Sequence, residues 1–388
     1  MLPEPLSGEA PLAVVALGDA PGNALVAQEA VTLIEGGPKD WAILEEHLAA
    51  KSQSGPDILG KTGGLFGAFR YDGSFAFYDC PACDLWRLDR LWVQPAIGAE
   101  QAVHWSSSLN AEAFALGVQA AQERIRAGDI YQVNLTRRER ALVECSDPFL
   151  VFRLLWSRTQ APWAAWLNLP EVALASASPE LFLAMDGRRI RTQPIKGTRP
   201  RDRDASRDQR NAFELSTDPK EVAELVMITD LERNDLGQIC EFGSVEVVEL
   251  VARRSYSHVH HLVSTIEGLM RPGIGLVEAV RACFPGGSIT GAPKGKAQEV
   301  IAMLEPVPRG FYTGALGYFG YDGSARFSMI IRCLEIARNE ISFGVGSGLT
   351  IDSDPVREFM ETEQKAAALR EAVADAVLRW RRVSSGVA

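Results

Sequence analysis

One short pattern occurs twice in this chain and narrows the folds open to it. Residues 67–77 and 317–327 both read G-x-F-x-Y-D-G-S-x-x-F. Tight hairpin turns favour residues that accept positive φ, and Asp-Gly is a strong signal for them. Each copy is therefore expected to be a β-hairpin. A single recurrence is not a solenoid period. Two related halves of one architecture and two independent uses of good turn chemistry both account for it.

The 388 residues correspond to two to three domains at roughly 150 residues each, or to one large domain. Hydrophobic residues at 46% and charged residues at 23% exclude a disordered, collagenous or coiled-coil chain. The 34 Gly and 21 Pro, spread along the length, argue for many turns and against an all-helical fold. A net charge of -10 argues against a nucleic-acid scaffold, whose affinity comes from neutralising phosphates. No run of 18 uncharged apolar residues predicts a membrane span, and the N-terminus lacks the positive start of a secretory leader. Six cysteines are too few for a disulfide scaffold, and Cys80-x-x-Cys83 has no second pair at zinc-ribbon spacing. A soluble, cytoplasmic enzyme is the expectation.

Residues 1–105 read as an N-terminal, turn-rich β region and 106–388 as the catalytic region. Asn110 is a helix cap before Phe114, Val118, Ala121 and Ile125 at helical spacing, and Gly128 closes that helix. YQVNLTRRERALVE alternates as a strand. Helices are expected in SDPFLVFRLLWSRTQ, GLVEAVRACFP, APKGKAQEVIAMLEP and the C-terminal stretch from Asp354. TDPKEVAELVMITDLERNDLGQIC is a further helix, capped by Thr217 or Asp218 with Pro219 in its first turn. The charged stretch 199–220 is expected to wrap the surface. The whole reads as mixed α/β with mostly antiparallel hairpins, not a doubly wound βαβ sheet.

Two helices carry acids three residues apart: Glu221 with Glu224, and Glu358 with Glu361, with Lys365 one turn beyond. Oxygen ligands without clustered His or Cys suit Mg²⁺, although the spacing alone fits a solvated acidic face better. Gly346, Ser347 and Gly348 precede the second helix at a strand end, where exposed backbone N–H groups can cradle a carboxylate or phosphate. PGGSITGAPKGK lacks Walker A spacing. Lys196 in PIKGT is either a surface lysine or one pointing into a site, where desolvation favours the nucleophilic amine. Glu180 in SASPELF follows a proline among apolar residues, and a desolvated glutamate can donate a proton. The arginines of 188–210 lack interleaved aromatics, which favours a solvated loop over an RNA patch.

SASPELF, PIKGTRPR, KEVAELVMITDLERNDLG, SHVHHLVSTIEG, FPGGSITGAPK, FYTGALGYF and GVGSGLTIDSDPVREFMETEQKA follow one another in the order seen in chorismate-utilising enzymes. Over about 110–380 the chain resembles this family, and within it component I of the aminodeoxychorismate synthases, relatives of the anthranilate synthases. The resemblance implies an α/β fold of two packed antiparallel sheets surrounded by helices. It implies conversion of chorismate and ammonia to 4-amino-4-deoxychorismate for 4-aminobenzoate and folate, with Mg²⁺. Ammonia would come from a separate glutamine amidotransferase subunit, component II, because the chain has no glutaminase nucleophile motif.

By the same resemblance Lys196 attacks ring C2, where anthranilate synthases read PIAGT. Glu180 protonates the departing C4 hydroxyl. Glu224 and Glu361 bind Mg²⁺ directly, with Glu221 and Glu358 holding metal-bound waters. Arg332, Tyr312 and the backbone at Gly346 and Gly348 clamp the enolpyruvyl carboxylate, and Lys365 adds charge near the ring carboxylate. Gly197, Thr198 and His261 lie close to the ring. Gln132 stands where water-using relatives place a lysine base. Leu33-Ile34-Glu35-Gly36 matches the tryptophan-sensing L-L-E-S of anthranilate synthases without its serine, so tryptophan inhibition is not expected.

Overall fold

The computed structural model describes residues 10–51, 63–96, 103–256 and 259–384. The first nine residues, part of the stretch read for a leader, lie outside the described residues. The described residues form two antiparallel sheets of ten strands each. The first runs in the order Gly291–Ala292, Gln132–Leu142, Glu340–Leu349, Cys333–Ile336, Ala173–Ser178, Trp163–Asn168, Ala13–Ala16, Asn23–Ala27 and Asp84–Arg87. The second runs Ile195–Pro200, Val259–Leu269, Arg189–Gln193, Leu181–Asp186, Ser324–Met329, Ala315–Gly320, Gly64–Phe69, Phe75–Cys80 and Thr32–Gly36. Ser106–Ser107 and Glu246–Ser255 pair at the side of the first and second sheet respectively.

Three apolar layers hold the sheets. Between them pack Val15, Phe66, Ala68, Leu167, Leu174, Leu316 and their neighbours. The outer face of the first sheet is covered by the helices Pro148–Thr159 and Pro355–Ser384, through residues such as Phe152, Leu155, Leu369 and Val373. On the outer face of the second, Phe69 is stacked against Trp41 at 4.3 Å between ring centres, and Phe75, Phe77, Phe319 and Phe327 surround it. The antiparallel α/β architecture expected from the sequence is the one observed.

The repeated pattern forms two hairpins that lie side by side. Gly64–Phe69 pairs with Phe75–Cys80, Ala315–Gly320 pairs with Ser324–Met329, and the two first strands pair with each other. In that central pairing Gly67 stands opposite Gly317, the same position of each copy. Both turns are built alike. Asp72 and Asp322 each accept from the backbone N–H and hydroxyl of the serine two residues on. Gly73 and Gly323 adopt φ of 87° and 83°.

Caps place several helices as read. Asn110 accepts from Ala113 N at 2.8 Å to open Ala111–Arg126. Asp218 accepts from Lys220 N at 3.0 Å to open Pro219–Gly237, with Pro219 at its first position. Residues 199–220 do not simply wrap the surface. They contain the helix Ala205–Thr217, capped by Asp204. The stretch is polar overall, with only Ala212 and Leu215 buried and Phe213 exposed, so it reads as surface. A second unexpected helix, Ala42–Lys51, lies within the N-terminal β region.

A side chain at Gly317 would meet the Arg326 carbonyl oxygen at 1.8 Å. Gly317→Ala should therefore destabilise the protein by about 1–3 kcal/mol. The measurement is the urea unfolding midpoint against wild type, and an unchanged midpoint would contradict the close approach of Gly317 to the Arg326 backbone within the second hairpin.

Candidate active site

A cavity of about 650 Å³ opens where the C-terminal helix, the helix Pro219–Gly237 and the ends of both sheets converge. Its lining includes Glu180, Lys196, Gly197, Thr198, Glu221, Glu224, His261, Tyr312, Arg332, Gly346, Gly348, Glu361 and Lys365. The structure thus brings together the expected residues with one exception. Glu358 is buried behind the wall, where Ser347, Ser353 and Lys220 hold its carboxylate. Gln132 also lies behind the wall, with Nε2 3.4 Å from Glu224 Oε2. A side chain at Gly348 would come within 2.6 Å of that Nε2, so glycine is what lets the two approach.

One wall is the edge of the second sheet. Gly197, at φ 67°, forms a bulge between Lys196 and Thr198, and the bulge moves Thr198 opposite His261 instead of His260. Lys196 Nζ donates to the Ser288 carbonyl at 3.3 Å. His261 is buried, and its pKa falls to about 3 because burial and the nearby Arg332 both oppose a second proton. The ring is therefore neutral. Nδ1 lies 2.9 Å from Gly197 O and must donate to it, so Nε2, buried without a partner, is left as a hydrogen-bond acceptor.

Glu180 stands at the end of the strand Ala173–Ser178, 5% exposed. Burial raises its pKa to about 7, although Ser288, Lys196, Lys365 and Arg332 nearby pull it back down. It is a carboxylic acid that still holds a proton near neutrality, the property a proton donor needs. Arg332 has a left-handed backbone, φ 50°, unusual for a side chain of this size. Burial pushes its guanidinium below its ordinary range, against the pull of Glu180. A strained arginine pointed into a cavity beside a protonated acid is a ready acceptor site for a carboxylate. Tyr312 rests its ring on Gly344, where any side chain would collide.

The opposite wall is acidic. Burial raises Glu221, and Glu224 and Glu361 raise it further. Burial also raises Glu224, with Lys196 and Lys220 opposing. Glu361 is pushed up by burial but held low overall by Lys365, whose Nζ lies 2.7 Å away. Lys365 also donates to Gly346 O at 2.9 Å. Glu224 Oε1 is buried with no hydrogen-bond partner. No group of three or more metal-binding side chains is already gathered among the described residues. Reading the sequence missed Asn134, Ser288 and Lys220, which also line the cavity. Each sits inside a motif already singled out, YQVNL, FPGGSITG or KEVAEL, so the signal was present but not assigned to a residue.

An antiparallel two-sheet fold gathers acids, lysines and an arginine around one cavity, and sequence comparison gives it a family. The profile of the chorismate binding enzymes matches residues 87–371, and the chain belongs to that family. It is 45% identical over 285 residues to anthranilate synthase component 1 1 of Haloarcula marismortui, covering 74% of this chain and 58% of that protein. It is 37% identical over 293 residues to aminodeoxychorismate synthase component 1 of Bacillus subtilis, covering 74% and 62%. The chain thus spans about six tenths of the length of such curated relatives. The crystal structure of anthranilate synthase component I from Streptococcus pneumoniae superposes with a TM-score of 0.79 at 23% identity, over 90% of this chain and 92% of that one. That likeness establishes the shared fold. No described helix is long and apolar enough to cross a membrane.

The raised Glu180 pKa has a consequence for stability. Between the ordinary carboxyl value of about 4.3 and about 7, the folded protein keeps a proton that the unfolded chain has lost. Stability is fully present below that window and falls as pH rises through it. Glu180→Gln carries no such term. Its stability relative to wild type should therefore increase from pH 5 to pH 8 by about 1–3 kcal/mol in urea unfolding. A pH-independent difference would refute the buried, protonated state.

Proposed function

We propose that the chain is component I of an aminodeoxychorismate synthase. It replaces the C4 hydroxyl of chorismate with an amino group from ammonia, which a separate glutamine amidotransferase subunit supplies. The observation that carries this reading is the place of Lys196. Its amine lies in the cavity against the Ser288 carbonyl, with Glu180, Glu224 and Glu361 as its electrostatic neighbours. The small residue of PIAGT would leave that position without a nucleophile.

In this reaction the Lys196 nitrogen forms a bond to ring C2 as both conjugated ring double bonds shift and the C4 hydroxyl departs, taking the Glu180 proton to leave as water. Ammonia then bonds to C4, the double bonds shift back, the lysine nitrogen leaves C2, and the proton released by the new C4 ammonium returns to Glu180. Splitting the displacement into two covalent steps lowers each barrier. Arg332 and Tyr312 hold the enolpyruvyl carboxylate with the backbone at Gly346 and Gly348, and Lys365 balances the ring carboxylate. Thr198 and the acceptor Nε2 of His261 orient the ring substituents.

Mg²⁺ suits the acidic wall. Burial, with Glu224 and Glu361 beside it, raises Glu221, and Glu224 Oε1 has no hydrogen-bond partner. Glu224, Glu361 and Glu221 would hold the ion, with Glu358 further back. An ion held there would supply positive charge to neutralise the ring carboxylate. The six cysteines form no disulfide among the described residues, in keeping with a cytoplasmic protein.

Anthranilate synthase is the second reading, favoured by relatives of that name at 45% and 43% identity. Product analysis with chorismate, Mg²⁺ and an ammonium salt decides between them. Aminodeoxychorismate retains the enolpyruvyl group, and a product that has lost it would reject our proposal. Intact mass spectrometry of wild type with chorismate and Mg²⁺, without ammonia, should show an adduct on the peptide containing Lys196. Lys196→Ala should lose the adduct and most turnover while still binding chorismate, and turnover at the wild-type rate would remove the nucleophile. Glu361→Gln should fold normally and lose most Mg²⁺-dependent activity, whereas unaltered Mg²⁺ dependence would exclude Glu361 as a ligand.

A further inference from the structure

Lys220 occupies an unfavourable place. It is the second residue of the helix Pro219–Gly237, where unpaired N–H groups and the helix dipole already present positive charge. A cation is normally disfavoured there. Its amine is held by carboxylates alone: Nζ is 3.0 Å from Glu358 Oε1 and 3.8 Å from Glu224 Oε1. Glu224 Oε1 receives no hydrogen bond at that distance and has no other partner. Glu358 does not depend on the lysine, because Ser347 and Ser353 also donate to it.

The other lysine of this wall is fixed differently. Lys365 bridges Glu361 and the Gly346 carbonyl, so a backbone bond keeps it in place whatever happens to the carboxylate. Lys220 has no second anchor of that kind, and its side chain is 46% exposed, with solvent to receive it. We infer that Lys220 is a resident counter-ion which occupies the acidic wall in the metal-free protein, competes with the divalent cation for Glu224, and swings into solvent when the cation binds. The inference rests on the metal reading given above and adds to it a residue that sets metal affinity from outside the ligand set. The physical reason is charge balance. Burial and the neighbouring glutamates raise Glu221 and Glu224, Lys196 and Lys220 oppose the rise at Glu224, and of these Lys220 is the one that solvent can receive when a metal takes that carboxylate.

The test is binding of Mn²⁺, used in place of Mg²⁺ and followed by the electron paramagnetic resonance of free Mn²⁺, with no substrate present. Lys220→Met removes the competing charge and should tighten Mn²⁺ binding at least about tenfold. Lys220→Arg keeps a cation there and should stay within about threefold of wild type. Binding by Lys220→Met alone would also support the inference. Equal or weaker binding by Lys220→Met, with wild type binding well, overturns it and leaves the metal reading standing. Absence of binding by all three proteins removes both.

Discussion

The pairing of Glu340–Leu349 with Gln132–Leu142 governs the site. It is unbroken over ten residue pairs, from Glu340 opposite Leu142 to Leu349 opposite Val133. Along it Gly344, Gly346 and Gly348 remove side chains from one strand so that Tyr312, Asn134 and Gln132 can close in from the other side. The turn after Leu349 then launches the C-terminal helix at Pro355, which delivers Glu361 and Lys365. A slip of one residue in this register would turn every side chain of the strand to the opposite face. It would also part Lys365 from Gly346 O, the bond that ties the helix to the strand.

The cavity built on that register is electrostatically mixed. Glu180 is pushed up by burial, His261 is kept neutral by burial and Arg332, and Glu361 is kept ionised by Lys365. Near neutral pH, Glu180 is therefore poised between acid and carboxylate, His261 is neutral and Glu361 is charged, all within one cavity. Each state follows from its own neighbours, which explains why a net charge of -10 says so little about the charge within this cavity.

Much of this was legible in the sequence because it is local. Caps at Asn110 and Asp218, and turns at Gly73 and Gly323, are decided by a few adjacent residues, and the structure has them where they were read. The helix Ala205–Thr217 was missed because it buries only Ala212 and Leu215. Spacing paired Glu221 with Glu224 and Glu358 with Glu361, and of these four all but Glu358 line the cavity. How far a helix is rotated about its axis depends on what packs beneath it, here Ala366, Leu369, Ala372 and Val373 against the first sheet. No short motif encodes that rotation. The same holds for the pairing of Gly64–Phe69 with Ala315–Gly320, which joins distant parts of the chain.

That distant pairing shapes how the molecule must assemble. Ala13–Ala16 finds its neighbour in Trp163–Asn168, and Gly64–Phe69 cannot complete its ladder until residues 315–320 have left the ribosome. The hairpin of Gly64–Phe69 and Phe75–Cys80 needs only residues close in sequence, whereas partners of its edge and of its phenylalanines come from much later in the chain. For most of synthesis that edge is a free template for any other strand. Its glycine-rich sequence, with Gly64 and Gly67 on the waiting strand, makes it a poor one: such residues weaken β pairing until a matched partner with its own glycine arrives.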